Sequence, residues 1–226
     1  MTLFTKLLAP AGLALTAMAA LPVHAQVEGR IATVDISRTI IGTTAFQTAY
    51  EQVNQTYTQQ NDLRRTKAQE RQTLLQTFDT NGDKQVDDAE LAAKQNSPDF
   101  TKLQTLEQEI QALNNQIDGA RIYAIEQIIM QYGAALQEVT TRQQIKLVVD
   151  PGSLLFAAPE ADVTQQVTTA LNAKVPSVGV VPPAGWQPSR EGVQIFQEIQ
   201  QRLIAAQMAQ QQAQQQQANT AAPVGR

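Results

Sequence analysis

The sequence predicts an α+β fold, mainly α, in which a long antiparallel helical hairpin projects from a small β-containing oligomerisation body. Three observations predict it. Two stretches poor in Gly and Pro flank a short loop at Asp79 to Glu90 and carry apolar residues at helical spacing. Strand-like runs occur only before and after them, at Ile31 to Ile36 and Ile145 to Asp150. Aromatic residues make up only 5% of the chain, too few for one large globular core, while Gln is abundant.

The first 25 residues read as a cleavable signal peptide rather than as part of the fold. Lys6 supplies the positive start, Leu7 to Leu21 is an apolar run, and Val23-His24-Ala25 places small residues at −3 and −1. The run is short for a bilayer span of about 20 residues, and Pro10 and Gly12 interrupt it. No later stretch predicts stable membrane insertion. The protein is therefore expected to be exported.

Composition then excludes whole classes of chemistry. There is no Cys, and the single His, His24, lies in the leader. Triads built on His or Cys and His-based zinc sites are ruled out. Without Lys6, 16 basic face 21 acidic side chains, a net charge of −5. A nucleic-acid binder should show a basic face, and none is evident. No Gly-rich phosphate loop is present, and acidic pairs such as Asp87 and Asp88 fall in a solvated turn. An enzyme is not expected.

The elements follow in order. Ile31-Ala32-Thr33-Val34-Asp35-Ile36 alternates, with apolar groups on both faces, and reads as a mostly buried strand. Ser37 or Thr39 would cap the helix that follows. Phe46, Tyr50, Val53 and Tyr57 lie four, three and four residues apart, on one helical face. The face then turns polar until Leu74, Leu75 and Phe78. One helix from Ile40 to Phe78 would be about 60 Å long. After the loop, Ser97 is a fitting N-cap with Pro98 at the first helical position. Leu103, Leu106, Ile110, Leu113, Ile117, Ala120 and Ala124 repeat at intervals of three and four, a heptad seam for the outgoing arm. Towards its end the helix becomes apolar over a wide arc, from Ile122 to Val139, and so enters a packed base.

Ile145-Lys146-Leu147-Val148-Val149-Asp150 reads as a strand stopped by Pro151-Gly152, and Leu154 to Ala157 as a further short strand. Asp162 would cap a helix with Val163, Val167, Ala170 and Leu171 on one face. Residues 175–189 hold four prolines and read as a linker or an extended segment, in which Trp186 could dock on the base. Residues 190–209 predict a helix, and the Gln-rich tail 210–226 predicts disorder.

The tip loop carries the one sharp motif. Asp79 to Glu90 resembles an EF-hand calcium loop, with Asp79, Asn81 and Asp83 at positions 1, 3 and 5. Gln85 would offer its carbonyl at position 7, Val86 is the apolar residue at 8, and Asp87 and Glu90 stand at 9 and 12. Position 6 should be Gly and is Lys84, a left-handed residue that costs about 1–2 kcal/mol. Binding of calcium is therefore expected to be weak, about 10⁻⁴–10⁻³ M. A capped polar turn uses the same residue types.

The order of parts resembles the OmpH/Skp family of periplasmic chaperones. Signal peptide, Ile31 to Ile36, polar hairpin, Leu147-Val148-Val149-Asp150 and a closing helix carry the resemblance. It assigns 26–174 to a chaperone domain, with a body of 28–38 and 143–174, arms of 39–142 and the tip at 79–90. It implies a homotrimer whose arms surround a cavity. There it would hold unfolded outer-membrane proteins in the periplasm, without ATP. Members are often basic and this chain is acidic, which shifts weight from charge to the apolar arm positions. Tyr50, Tyr57, Phe78 and Phe100 fit either a core that zips the arms or contacts to clients. The alternative function is an envelope structural or adaptor protein with a calcium-binding loop.

Overall fold

The computed structural model describes residues 29–221, with the side chains of 217–221 left out of account. The predicted leader lies outside the described residues. The chain opens with β1 (Arg30–Thr33), α1 (Ile36–Ile41), α2 (Thr44–Thr56) and α3 (Thr58–Gln76). The tip loop leads into α4 (Asp88–Lys94) and α5 (Pro98–Arg142). Then come β2 (Ile145–Val149), two 3-10 turns (Pro151–Ser153 and Pro159–Ala161), α6 (Thr164–Lys174) and α7 (Arg190–Ala221).

The hairpin is α2 and α3 running out against α5, which alone has 45 residues and is about 68 Å long. Ser97 Oγ accepts the Phe100 N–H and Pro98 opens α5, as the sequence predicts. The outgoing arm is not one helix. Gly42 ends α1, and the buried Thr43 accepts the Phe46 N–H to start α2. A second break falls at Tyr57. There the Thr58 hydroxyl donates to the carbonyls of Asn54 and Gln55, drawing them from the helical ladder.

The body is built on a two-stranded parallel sheet. Ile31 pairs with Leu147, Ala32 with Val148 and Thr33 with Val149. The strand is shorter than predicted. Asp35 leaves it to become the N-cap of α1, its carboxylate accepting the Arg38 N–H at 2.9 Å, so the cap is neither Ser37 nor Thr39. Ala32 and Val34 are buried on one face and Thr33 and Asp35 on the other, while Ile31 at the start is half exposed. The predicted strand at Leu154 to Ala157 is an open segment between the 3-10 turns, exposed because nothing pairs with it. Asp162 Oδ1 accepts the Thr164 N–H, but the N-cap of α6 is Val163, one residue later than expected and without a side-chain cap bond.

The core joins β1, α1, α2, the proximal part of α5, α6 and α7. Ile195 and Ile199 of α7 are buried in it, as is Val175 at the start of the predicted linker. A second small cluster at the arm base holds Val53, Tyr57, Ile117 and Ala120, with Val180 packed against it. Residues 175–189 are thus a docked strap rather than a free linker. The predicted disorder from Gln210 is also corrected, since α7 continues to Ala221. Gln and Ala both favour helix, and that propensity carries α7 beyond its packed part.

Candidate functional site

Three places bear on function: the loop at the tip, the seam of the arm and the open face of the body. At the tip, Asp79 Oδ1 accepts the Gly82 N–H at 2.6 Å and Oδ2 accepts the Lys84 N–H at 2.8 Å. Asn81 Oδ1 accepts from Asp83 N, and Asp83 Oδ1 from Gln85 N, both at 2.8 Å. These bonds wind the first half of the loop into successive Asx turns. Lys84 has φ +67°, the left-handed conformation that the loop pattern demands at this position.

The second half is closed by a capping box. Asp87 Oδ1 accepts the Glu90 N–H at 2.9 Å, and Glu90 Oε2 accepts the Asp87 N–H at 3.3 Å. Glu90 Oε1 also accepts from Thr80 N at 2.7 Å, Thr80 Oγ1 at 2.9 Å and Asn81 N at 3.1 Å. The backbone N–H of Thr80 is the chief cause that holds the Glu90 carboxyl below its usual range, with the Thr80 hydroxyl next. Glu90 is therefore buried against loop amides. Among the described residues no three acidic groups converge on one point. The six predicted ligand positions share one short loop, but Glu90 does not face the others as a metal ligand. Leu75, Val86 and Leu91, with Asp79 and Lys84, line a cleft of about 610 Å³ beside it.

The seam of the arm is apolar at its ends and polar between. No residue of α3 is buried. Arg64 Nη1 donates to Asn114 Oδ1 at 3.2 Å, and Lys67 Nζ meets Glu109 Oε2 at 2.6 Å. Of the four predicted client-contact residues, Tyr57 and Phe78 are buried in the folded arm, 6% and 0% exposed, Tyr57 in the cluster that Val180 covers. They close the proximal and distal ends of the hairpin. Phe100 is half-buried near the start of α5. Tyr50 is half-buried and engaged. Its ring stacks on Phe46 at 4.1 Å, Arg121 lies over it, and its oxygen accepts from Gln200. Burial pushes its phenol up to about 12, against the opposing pull of Arg121.

The open face of the body carries the apolar surface that the sequence reading did not single out. Ile31 and Leu147, paired across the sheet, are about half exposed. Leu155 is fully exposed and Phe156 is 84% exposed. Their short apolar run was visible in the sequence, but it was read as a strand.

A family model described as "Outer membrane protein (OmpH-like)" matches residues 30–171, more than half of the chain. No curated protein matches it. Among solved structures, the chain is similar to one from Caulobacter crescentus CB15, described as OmpH-like and provisionally as an outer membrane chaperone. The identity is 14% over 75% of this chain and 100% of that one, with a TM-score of 0.42.

Proposed function

The chain belongs to the OmpH-like family, and on that premise we propose that it is an ATP-independent periplasmic holdase chaperone. It would hold unfolded outer-membrane proteins in a cavity between the helical arms of a homotrimer and prevent their aggregation. The observation that carries the reading is the arm itself. Its apolar side chains close the two ends of the hairpin, and a polar stretch of α3 lies between. Such a rod stays extended in water and offers many weak contacts rather than one selective pocket. The exposed pair Ile31 and Leu147, and the exposed run of Leu155 and Phe156, support self-association, because apolar surface of this kind calls for a covering surface. The apolar leader supports export to the periplasm.

Calcium would act at the tip. Lys84 already holds the left-handed turn that a bound ion needs at loop position 6. Glu90 would have to release Thr80 and Asn81 and swing towards Asp79 and Asp83. That rearrangement costs free energy and supports weak affinity. Calorimetric titration of calcium, with Asp79→Ala and Glu90→Gln as controls, should show heat only in the parent protein.

The deciding experiment dilutes a urea-denatured β-barrel protein into buffer with and without the purified chain, without ATP, while light scattering follows aggregation. Suppression by a particle of three times the subunit mass is expected. Unchanged aggregation would overturn the chaperone reading. It would favour an adaptor role, for which the exposed stretch of α7 past Leu203 is the feature to test.

A further inference from the structure

Residues 175–189 cross the base of the arm, and a turn in which the Trp186 backbone N–H donates to Pro183 O at 3.1 Å, with Gly185 at φ +79°, separates Val178 and Val180 from Trp186. Val178 packs against the body core and Val180 against the cluster of Val53, Tyr57, Ile117 and Ala120. Between them, the Gln127 carboxamide engages both main-chain groups of Gly179. Its Nε2 donates to Gly179 O at 2.9 Å, and its Oε1 accepts from Gly179 N at 2.9 Å. A carboxamide has one acceptor and one donor side, so this pairing reads the main chain of one residue and ignores its side chain. A Cβ at position 179 would lie 3.7 Å from Gln127 Oε1 and from the Tyr123 ring, an ordinary contact. Residues other than glycine therefore fit. Further along, the Trp186 ring meets Tyr123 edge-on at 5.4 Å, and its Nε1 donates to Glu126 Oε2 at 3.2 Å.

We infer that this face, from Ile117 to Gln127 of α5 with Val53 of α2 and Tyr57 just past its end, is a binding groove for an extended segment of unfolded polypeptide. In the free protein the chain's own strap occupies it. The inference rests on the holdase reading and names where one client segment sits. The resident segment shows what fits: apolar side chains two residues apart, a main chain free to bond between them, and an aromatic ring beyond. Transmembrane β-strands alternate apolar and polar residues and end in aromatic girdles, so they offer the spacing of Val178 and Val180 and an aromatic ring for the site that Trp186 fills after its turn. A tethered occupant competes at an effective concentration of about millimolar, so a client must displace it.

Trp186 is the sole tryptophan, so its emission reports the strap directly. The probe is a fluorescein-labelled, Trp-free peptide of alternating Val and Thr ending in Tyr, added to the full protein without its leader. Fluorescence anisotropy gives its affinity, and Trp186 emission should shift to the red as the peptide binds. Val180→Asp loosens the strap and should tighten peptide binding several-fold, and Val180→Ala should do so more weakly. Gln127→Ala added to Val180→Asp should weaken binding again, several-fold. A fixed brace would behave otherwise: Val180→Asp would leave affinity unchanged or lower it, or Trp186 emission would stay constant while anisotropy saturates. Either result, or no binding to Val180→Asp, overturns the groove. Suppression of aggregation by the parent protein in that case would leave the holdase reading standing.

Discussion

Arg202 of α7 places Nη2 2.8 Å from Oδ2 of Asp35, whose other oxygen caps α1. The pair ties a helix outside the family-matched residues to the first turn inside them. The Asp35 side chain is 10% exposed and Arg202 is 39% exposed. Arg202→Ala leaves a nearly buried carboxylate without its partner. With solvent screening at Arg202 the loss should be about 1–2 kcal/mol. That corresponds to a fall in Tm of about 2–8 °C for a chain of this size, read by circular dichroism. Arg202→Lys should recover part of it. An unchanged Tm would show that α7 is held by its apolar contacts and the Gln200 bond to Tyr50 without this ion pair.

Tyr57 and Phe78 behave as structural rings. Phe78→Ala removes a fully buried side chain and should cost about 3–5 kcal/mol in the stability of the distal arm. Phe100→Ala, at a half-buried position, should cost much less. Thermal melts of the two variants compare them, and equal losses would contradict the different burial of the rings.

Leu155 and Phe156 should govern self-association. Leu155→Asp and Phe156→Asp alter exposed side chains and should leave helical content intact. Light scattering should show the mass fall towards one subunit. A retained multiple mass would move the interface elsewhere on the body.

Glu90 makes the tip sensitive to acid. Its carboxyl titrates below the ordinary value of about 4.3 because loop amides and the Thr80 hydroxyl stabilise the charged form. The contribution is complete above that unfolded value and is lost as pH falls through the lower folded one. Protection of the Thr80 and Asn81 amides against hydrogen exchange, relative to the intrinsic rate at each pH, should therefore be high at neutral pH and fall in acid. Glu90→Gln should show low protection at all pH values. Protection that persists in acid, or in Glu90→Gln, would remove the carboxylate from this role.

Local signals made much of the architecture legible. The three-and-four spacing from Leu103 to Ala124 gave α5 its seam, and Ser97 with Pro98 gave its start. The helix breaks at Gly42 and Tyr57 were missed, because periodicity continues across them while single hydroxyls redirect the backbone. The strap looked like a linker because its partners are distant: Gln127 and Gly179 are 52 residues apart, and Glu126 and Ser189 are 63 apart. Composition counts prolines, but it does not see a carboxamide waiting on another helix. At the tip the spacing located the loop, and Lys84 adopts the turn that the pattern requires. The direction of Glu90 depends on which amides compete for it, and no spacing rule encodes that competition.

Arg30 Nη1 reaches Gln143 Oε1 at 2.7 Å across 113 residues of chain, beside the parallel pairing of β1 with β2. Closing so long a loop at random would be slow. The helical rod between them forms from short-range contacts and folds back on itself, so its two ends return to the same place. During synthesis the first strand must wait, unpaired, until the whole rod has emerged. The body is thus the last part of the molecule to assemble, and an outgoing arm truncated before its turn would leave that strand with no mate.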